Sequence, residues 1–178
     1  FSSTASIEES SVPDFEVEII SPPFSQNPIV EVRNISGSGS FEFRLDDGNW
    51  VSLSDSDSLR FSDFEFGQHQ VSGRDQLGCG MRIKDFQVIG YRSFFTPNQD
   101  GHNDRWNIPS LKNQRDALVL IYDRYGKLLY KFRPEELGWD GTNNGQTLPS
   151  NDYWFSVEYT DPRTGELSVF RGNITLKR

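Results

Sequence analysis

Residues that build catalytic and metal sites are scarce in this chain. Its 178 residues include two histidines and one cysteine, so no intrachain disulfide, Cys-x-x-Cys pair or Cys/His zinc site can be assembled. The GxSxG, HExxH, GxGxxG and phosphate-loop motifs are absent as well. Acid–base catalysis needs a nucleophile with a base, or two carboxylates in one cleft, and the supply of bases is small. We therefore expect a protein that is not an enzyme.

Positive charge and long apolar runs are also lacking. Lys and Arg number 18 against 26 Asp and Glu, which gives a formal net charge of −8. Because phosphate binding requires clustered Lys and Arg, this charge argues against a nucleic-acid partner. No apolar run is long enough to span a bilayer, so we expect no membrane insertion by the chain itself. The chain begins at Phe1 and its only methionine is Met81, which indicates a piece of a longer protein.

The single cysteine and the two histidines are each predicted to be structural. Cys79 lies between two glycines beside a turn, where a small buried residue is the expected role. His69 falls in a predicted strand next to aromatic residues of the neighbouring strand. His102 falls in a loop and is expected to face solvent. A catalytic pair of histidines is therefore not expected.

Aromatic residues, by contrast, are abundant, and their spacing predicts β-structure. There are 14 Phe, 6 Tyr and 4 Trp, a composition that strands favour over helices. Phe41, Phe43 and Leu45 alternate with polar residues, and the Asp46-Asp47-Gly48 step that follows is a strong hairpin signal. About seven short strands at spacings of roughly 8–12 residues predict a β-sandwich. We place this first domain at residues 14–89, after a Ser- and Glu-rich linker at residues 1–13.

The second half, residues 90–178, is predicted to form another all-β domain. Ala117–Arg124 is apolar on both faces, which predicts a central strand buried between layers. In Asp152–Asp161 the apolar residues Tyr153, Phe155, Val157 and Tyr159 alternate with the polar residues Ser156, Glu158 and Thr160, as in a half-buried strand. A short helical turn is predicted at residues 134–137, where Pro is followed by two Glu residues.

The last strand contains an apparent change of face. Leu167 and Val169 occupy odd positions, whereas Ile174 and Leu176 occupy even positions. Because a shift of one residue turns a strand's side chains to the other face, the pattern predicts a β-bulge near Arg171-Gly172.

The stretch Phe94–Trp106, FFTPNQDGHNDRW, is the richest in turn-forming and acidic residues. Oxygen ligands at Asn98, Asp100 and Asp104, with Gly101 between them, resemble the first half of a calcium loop. The acid that would begin such a loop and the Glu that would end it are missing. The alternative is that these side chains cap the loop's own amides as Asx-turns. Calcium is the only cofactor that the sequence suggests.

The four tryptophans leave a carbohydrate-binding interpretation open, because a flat indole ring stacks on a sugar. Trp50 follows a hairpin turn and is predicted to be the most exposed of them. Trp106, Trp139 and Trp154 are predicted to fill the core.

Four blocks of the second half together resemble the gliding-motility-associated C-terminal domain, the type B sorting signal of the type IX secretion system. The blocks are FFTPNQDGHNDRWNI, LIYDRYGKLLY, GWDGTNNGQTLPSNDYWF and GNITLKR, between about Phe94 and Arg178. One departure is Gln99, where relatives commonly have Gly, so a positive φ there would strain the loop. The motif residues that the resemblance implies are Thr96, Pro97, Asn98, Asp100, Gly101, Asn103, Asp104, Trp106, Asp123, Arg124, Tyr125, Gly126, Trp139, Asp140 and Gly141.

The first domain carries a looser resemblance. Its blocks FEFRLDDGNW and GQHQVSGRDQLGCG are similar to tandem repeat modules of large surface adhesins of the Bacteroidota. The Asp57-Ser58-Leu59 step also resembles an O-glycosylation site of Bacteroidota surface proteins, with Ser58 as the acceptor.

Together the resemblances imply two immunoglobulin-like β-sandwich domains in tandem, at the C-terminal end of a secreted gliding or adhesion protein. They imply export through the periplasm and across the outer membrane to the cell surface. The partners implied are a porin-like outer-membrane protein that pairs with type B signals and components of the type IX translocon. The alternative is a carbohydrate-binding or calcium-stabilised accessory module of a secreted polysaccharide-degrading enzyme.

Overall fold

The computed structural model describes residues 10–53 and 57–178 of the chain. The chain divides into two compact units, Phe1–Val88 and Ile89–Arg178. Strands make up 47% of the chain, about twice the share in an ordinary globular protein. The predicted fold class is confirmed, since both units are all-β and consistent with immunoglobulin-like β-sandwiches. Most of the predicted linker, residues 1–9, lies outside the described residues.

The first unit consists of two antiparallel sheets packed face to face. Its strands are β1 (Asp14–Ile19), β2 (Val30–Ser36), β3 (Phe41–Leu45), β4 (Val51–Ser52), β5 (Leu59–Phe61), β6 (Gly67–Asp75) and β7 (Met81–Val88). One sheet has the order β1-β2-β5 and the other β4-β3-β6-β7. The core between them is aromatic, and the Phe15 and Phe43 rings meet edge to face at 5.2 Å. The alternation of aromatic and polar residues in the sequence therefore identified the buried face.

Two local predictions for the first unit are confirmed. Asp46, with a φ of 48°, begins the turn between β3 and β4, and the N–H of Gly48 donates to the carbonyl of Leu45. His69 lies opposite Phe86 across the β6–β7 ladder, and the two rings are 5.6 Å apart.

Two other predictions for this unit are wrong. Cys79 is exposed because it lies in the turn between β6 and β7, beyond the end of the sheet, where there is no core to fill. Trp50 is half-buried and not the most exposed tryptophan. The guanidinium carbons of Arg44 and Arg74 lie 4.8 and 4.0 Å from the centre of its ring. These cation–π contacts occupy the surface that a sugar would need for stacking.

The second unit is organised around one five-stranded sheet, with the order β10-β9-β13-β14-β8. All neighbours are antiparallel except β8 and β14, which are parallel. The strands are β8 (Phe94–Phe95), β9 (Leu118–Tyr122), β10 (Leu128–Phe132), β13 (Asn151–Thr160) and β14 (Leu167–Leu176), with a separate hairpin of β11 (Thr142–Asn143) and β12 (Gln146–Thr147).

One face of this sheet, the inner face, is covered by long connections. We call residues 96–117 and 133–150 the loop layer. It includes the β11–β12 hairpin and a short 3-10 helix at Pro109–Leu111. Trp106 and Trp139 come from this layer, and their rings lie 4.7 Å from Phe155 and 5.1 Å from Tyr153 of the sheet. The core of the second unit therefore lies between a sheet and a layer of ordered loops.

The predicted bulge near Arg171-Gly172 is wrong. Strands β13 and β14 pair without a break over their full length of ten residues each. Leu167 and Val169 do not belong to the core, since they are 68% and 51% exposed on the outer face. A Cβ at Gly172 would lie 2.8 Å from the Phe155 ring, so the glycine makes room for an aromatic side chain on the inner face.

Three further predictions for the second unit are wrong. The helical turn occurs at Pro109–Leu111, whereas residues 134–136 form a non-helical turn. Strand β9 is not buried on both sides, because the side chains of alternate residues, ending with Tyr122, are only half-buried. Trp154 is 45% exposed and lies outside the core. In the described part of the chain, no helix is long and apolar enough to cross a membrane.

Candidate functional site

The acidic loop at the start of the loop layer is closed by its own hydrogen bonds. The carboxylate of Asp104 accepts from the N–H of Gln99 at 2.6 Å and from the N–H of Gly101 at 2.8 Å. The carboxylate of Asp100 accepts from the N–H of His102 at 2.7 Å and from the side-chain amide of Asn98 at 2.8 Å. These are the Asx-type caps of the alternative interpretation.

The same contacts bear on the calcium prediction. The side-chain oxygens of Asn98, Asp100 and Asp104 each already accept a hydrogen bond from within the loop. Among the described residues there is no group of three or more His, Cys, Asp or Glu side chains that could hold a metal ion. The arrangement fits a self-capped loop better than a calcium site, which would need these oxygens to exchange partners. Calcium binding stays a prediction.

The backbone of this loop is strained at the position where the resemblance showed a departure. Gln99 has a φ of 66°, in the left-handed region that glycine adopts without steric cost. Hydrogen bonds on either side hold it there, since its N–H donates to Asp104 and the N–H of Thr96 donates to the carbonyl of Asn103 at 2.8 Å. The side chain of Arg92 also donates to the Asn103 side chain.

The two motif tryptophans connect the two segments of the loop layer, residues 96–117 and 133–150. Trp106 and Trp139 are 1% and 0% exposed. Their backbones pair as an isolated bridge, with N–H to carbonyl distances of 2.8 and 2.9 Å. The indole N–H of Trp106 donates to the carbonyl of Arg92, and that of Trp139 donates to the carbonyl of Thr142. Both polar ends of these large buried side chains are therefore satisfied.

Asp140 and Gly141 fix the turn that follows Trp139. Burial alone raises the pKa of Asp140, but hydrogen bonds from the hydroxyl and N–H of Thr142 and the nearby Arg105 guanidinium outweigh it, so the pKa is lowered. Gly141 has a φ of 76°, and a Cβ there would lie 2.5 Å from the Leu176 side chain. This motif glycine is required for two separate reasons, its backbone conformation and its close packing.

Arg178 connects three parts of the loop layer. Its guanidinium group donates to the carbonyls of Pro97, Gly141 and Leu148 at 3.1–3.2 Å. Two of these carbonyls belong to residues of the sorting motif. Arg178 was not among the predicted site residues, and its geometry holds two motif segments together that are distant in sequence.

The remaining motif segment, Asp123–Gly126, lies at the surface as the turn between β9 and β10. The Asp123 carboxylate accepts from the N–H of Tyr125 at 2.8 Å and from the N–H of Lys127 at 2.9 Å. Gly126 supplies the positive φ of 80° that the turn requires. Tyr125 is 85% exposed, and Arg124 is exposed beside it. This turn presents side chains to solvent, whereas the motif tryptophans Trp106 and Trp139 are buried.

A groove of about 350 Å³ begins at this turn and crosses the outer face of the sheet. Its floor includes Trp154, which lies opposite Tyr122 of β9 and opposite Asn173 of β14. The hydroxyls of Tyr122 and Ser156, which lie on the same face, are 3.4 Å apart. We call this the outer groove; the residues that line it are Tyr122, Asp123, Arg124, Gly126, Trp154, Phe155, Ser156 and Arg171.

Sequence reasoning missed the outer groove, although the signal was present. Tyr153, Phe155 and the following odd residues of β13 were predicted to face the core. The same alternation places Trp154 on the opposite face with Ser156, because successive side chains of a strand point to opposite sides. The size of the tryptophan favoured the core, but its position in the strand decided the outcome.

Two residues singled out in the sequence remain, Ser58 in the first unit and His102 in the second. Ser58, the predicted glycosylation acceptor, is half-buried, and its hydroxyl lies 3.4 Å from a carboxylate oxygen of Glu31. Glycosylation stays a prediction. His102 is exposed as expected, and its N–H is a cap donor to Asp100.

No curated protein matches the chain. A solved structure described as a biofilm associated protein, BSP domain, matches with 12% sequence identity and a TM-score of 0.33. That match covers 94% of this chain but only 29% of the other. At this TM-score it carries no argument.

A family comparison identifies the second unit. It is a secretion signal domain, an all-β domain that directs export. The family model that matches residues 89–176 is the CHU_C type IX secretion signal domain, and the second unit belongs to this family. The protein is accordingly exported by the type IX secretion system across the outer membrane to the cell surface, and it interacts with that machinery.

Proposed function

We propose that this chain is the C-terminal part of a cell-surface adhesin used in gliding or attachment. In this proposal the first unit is an adhesin-type repeat, and the second is recognised by a porin-like outer-membrane protein that passes it to the translocon. The observation that carries the proposal is that the family match, residues 89–176, coincides with a separately packed unit, Ile89–Arg178. A signal that folds as its own unit can present a fixed surface to a receptor.

We also propose that the chain acts by binding and not by catalysis. In His69 the Nδ1 atom lies 2.7 Å from the Asp46 carboxylate and the Nε2 atom lies 2.9 Å from the carbonyl of Glu65. Both ring nitrogens are thus engaged by acceptors of the fold, which leaves neither to act as a base on a substrate. The side chain of His102 has no carboxylate partner within the described part of the chain.

Reporter export tests the proposal. A periplasmic reporter protein is joined to the N-terminus of the complete chain and expressed in a type IX-competent cell that contains the matching porin-like protein. We expect the reporter at the cell surface or in the medium. A fusion that ends at Val88 is the control, and its reporter should stay in the periplasm. Equal retention of both reporters, or loss of the porin-like protein without effect on export, would contradict the proposal.

A further inference from the structure

The outer groove is positively charged in a protein that is otherwise acidic. Arg124 lies at one end and Arg171 at the other, in a chain of net charge −8. Among the described residues neither guanidinium group makes an ion pair or a hydrogen bond, although Arg124 approaches the Tyr125 ring at 5.7 Å and interacts electrostatically with Tyr153. The one carboxylate in the lining, Asp123, caps the turn. Two arginines that make no ion pair within the described part of the chain favour a ligand with carboxylate groups, which guanidinium binds in a bidentate manner.

Between the two arginines the groove is aromatic and open. Trp154 is 45% exposed, and no described residue makes an aromatic or cation–π contact with its ring. Trp50 in the first unit shows the contrast, because two arginines lie over its ring. Tryptophan and arginine side chains are the residues that most often dominate the energy of protein interfaces. The ligand that fits this groove therefore combines an anionic group with an apolar one.

The strand that contributes Arg171 favours a polypeptide as that ligand. Strand β8 pairs only with the last two residues of β14, so Arg171 and Asn173 have no strand partner on that side in the described structure. The N–H of Thr175 donates to the carbonyl of Ser93 on that side. Backbone groups alternate between the two edges of a strand, so Arg171, four residues earlier, directs its own N–H and carbonyl to the same open edge. Unpaired strand edges bind extended polypeptides.

We propose that the outer groove binds an extended segment of a protein of the secretion machinery. In this complex carboxylate side chains of the segment pair with Arg124 and with Arg171 at the two ends of the groove, and an apolar side chain on the same face of the segment packs on Trp154 between them. The inference rests on the proposed function, since it names the surface and the partner chemistry through which recognition occurs.

Charge reversal tests the surface in cells. The reporter fusion of the complete chain is made with Arg124→Glu and Arg171→Glu together. The matched control carries Lys112→Glu and Lys131→Glu, two exposed lysines outside the groove whose replacement changes the net charge equally. We expect export to fall at least tenfold for the groove variant and to stay within twofold of wild type for the control. Circular dichroism and thermal unfolding of the purified chains establish that each variant is folded. Arg124→Glu alone, in an exposed turn, replaces the double variant if that one does not fold.

A binding measurement tests the ligand chemistry directly. The purified 178-residue chain is titrated with a synthetic peptide of the repeat Glu-Ser-Leu-Ser, the Glu/Leu peptide, in which Glu and Leu share one face of an extended strand, and the indole N–H signal of Trp154 is followed by NMR. We expect that signal to shift, the affinity to fall at least tenfold in the Arg124→Glu/Arg171→Glu variant, and a Lys/Leu peptide to leave the signal unchanged. Polygalacturonate is titrated in parallel as an anionic sugar.

The outcomes separate this inference from the proposed function. If wild-type chain exports the reporter and the groove variant does so equally well, the groove is not the recognition surface although the proposed function stands. If wild-type chain fails to export, the proposed function itself is contradicted. Absence of a Trp154 shift with the Glu/Leu peptide, or a shift caused by polygalacturonate alone, overturns the polypeptide assignment.

Discussion

The two faces of the sheet in the second unit use tryptophan in opposite ways. On the inner face Trp106 and Trp139 are fully buried, and each indole N–H donates to a backbone carbonyl. On the outer face Trp154 is exposed between two arginines that have no carboxylate partner within residues 10–53 and 57–178. The polar ends of the two inner tryptophans are thus satisfied within the fold, whereas the ring of Trp154 is open to solvent in the groove that we propose as a binding surface. The residues that stabilise the signal domain therefore need not be those that a receptor contacts.

The residues of the sorting motif also fall into two groups, one within the loop layer and one at the outer groove. Most of its residues cap, bridge or pack within the loop layer, as Asp104 and Gly141 do. The segment Asp123–Gly126 reaches the outer groove, and its Arg124 contributes charge there. The residues of a family motif can therefore serve folding more than receptor recognition.

The largest expected effect is the loss of a buried tryptophan. Trp139→Ala should destabilise the second unit by about 3–5 kcal/mol, because it opens a large cavity and leaves the Thr142 carbonyl without its donor. Trp154→Ala, the matched change on the outer face, should cost less than about 1.5 kcal/mol. Chemical denaturation of the purified chains measures both. Similar losses of unfolding free energy for the two variants would contradict the difference between the two faces.

Two glycine substitutions should distinguish the stability cost of close packing from the cost of backbone strain. Gly141 and Gly126 have similar φ angles of 76° and 80°, but only Gly141 has atoms within 4 Å of an added Cβ. We expect Gly141→Ala to cost about 2–4 kcal/mol and Gly126→Ala about 1 kcal/mol. Thermal unfolding gives the comparison. Equal costs would mean that the contact with Leu176 relaxes freely.

A fall in pH should lower the stability of the loop layer before it affects the outer face of the sheet. The lowered pKa of Asp140 means that its ionised form is favoured by folding. This stability is fully present above the unfolded-state pKa of about 4 and is lost as the pH falls through the lower folded-state pKa. Between pH 6 and pH 3 we expect the Trp139 indole N–H to lose protection from hydrogen exchange in wild type. In Asp140→Asn the protection should be weaker at pH 6 and nearly independent of pH. A parallel loss in both proteins would exclude Asp140 as the cause.

The smallest expected effect is a gain in stability. Gln99→Gly should stabilise the loop by about 0.5–1 kcal/mol, since glycine removes the cost of a left-handed φ. Asn144→Gly, at a φ of 51° in the β11–β12 turn, is the control and should gain less because asparagine tolerates this region. A shift in melting temperature measures each change. A loss of stability in Gln99→Gly would mean that the side chain makes a compensating contribution.

The fold could be predicted where alternation and turn chemistry agree. Phe41 to Leu45 with the Asp46 turn is such a case, because one pattern marks the buried face and the other fixes the hairpin. The resemblance found the signal domain because four separated blocks kept their order. Both signals are local in sequence, which is why they could be used without coordinates.

Errors arose where residue type was given more weight than position. Leu167 and Val169 are apolar but lie on the outer face, so the inferred change of face did not exist. Cys79 is small and apolar in character but lies in a turn beyond the sheet. The outer groove and the Arg178 contacts join residues that are far apart in the chain, and only the strand order brings them together.

Site-specific photocrosslinking in cells tests the central claim most directly. A benzoylphenylalanine is introduced at position 154 in the outer groove or at position 137 in the loop layer, where Leu137 is 78% exposed. The complete chain is expressed in a type IX-competent cell and irradiated during export. We expect a crosslink to an outer-membrane component of the machinery that is at least tenfold stronger from position 154 than from position 137. Equal crosslinks, or a stronger one from position 137, would contradict it.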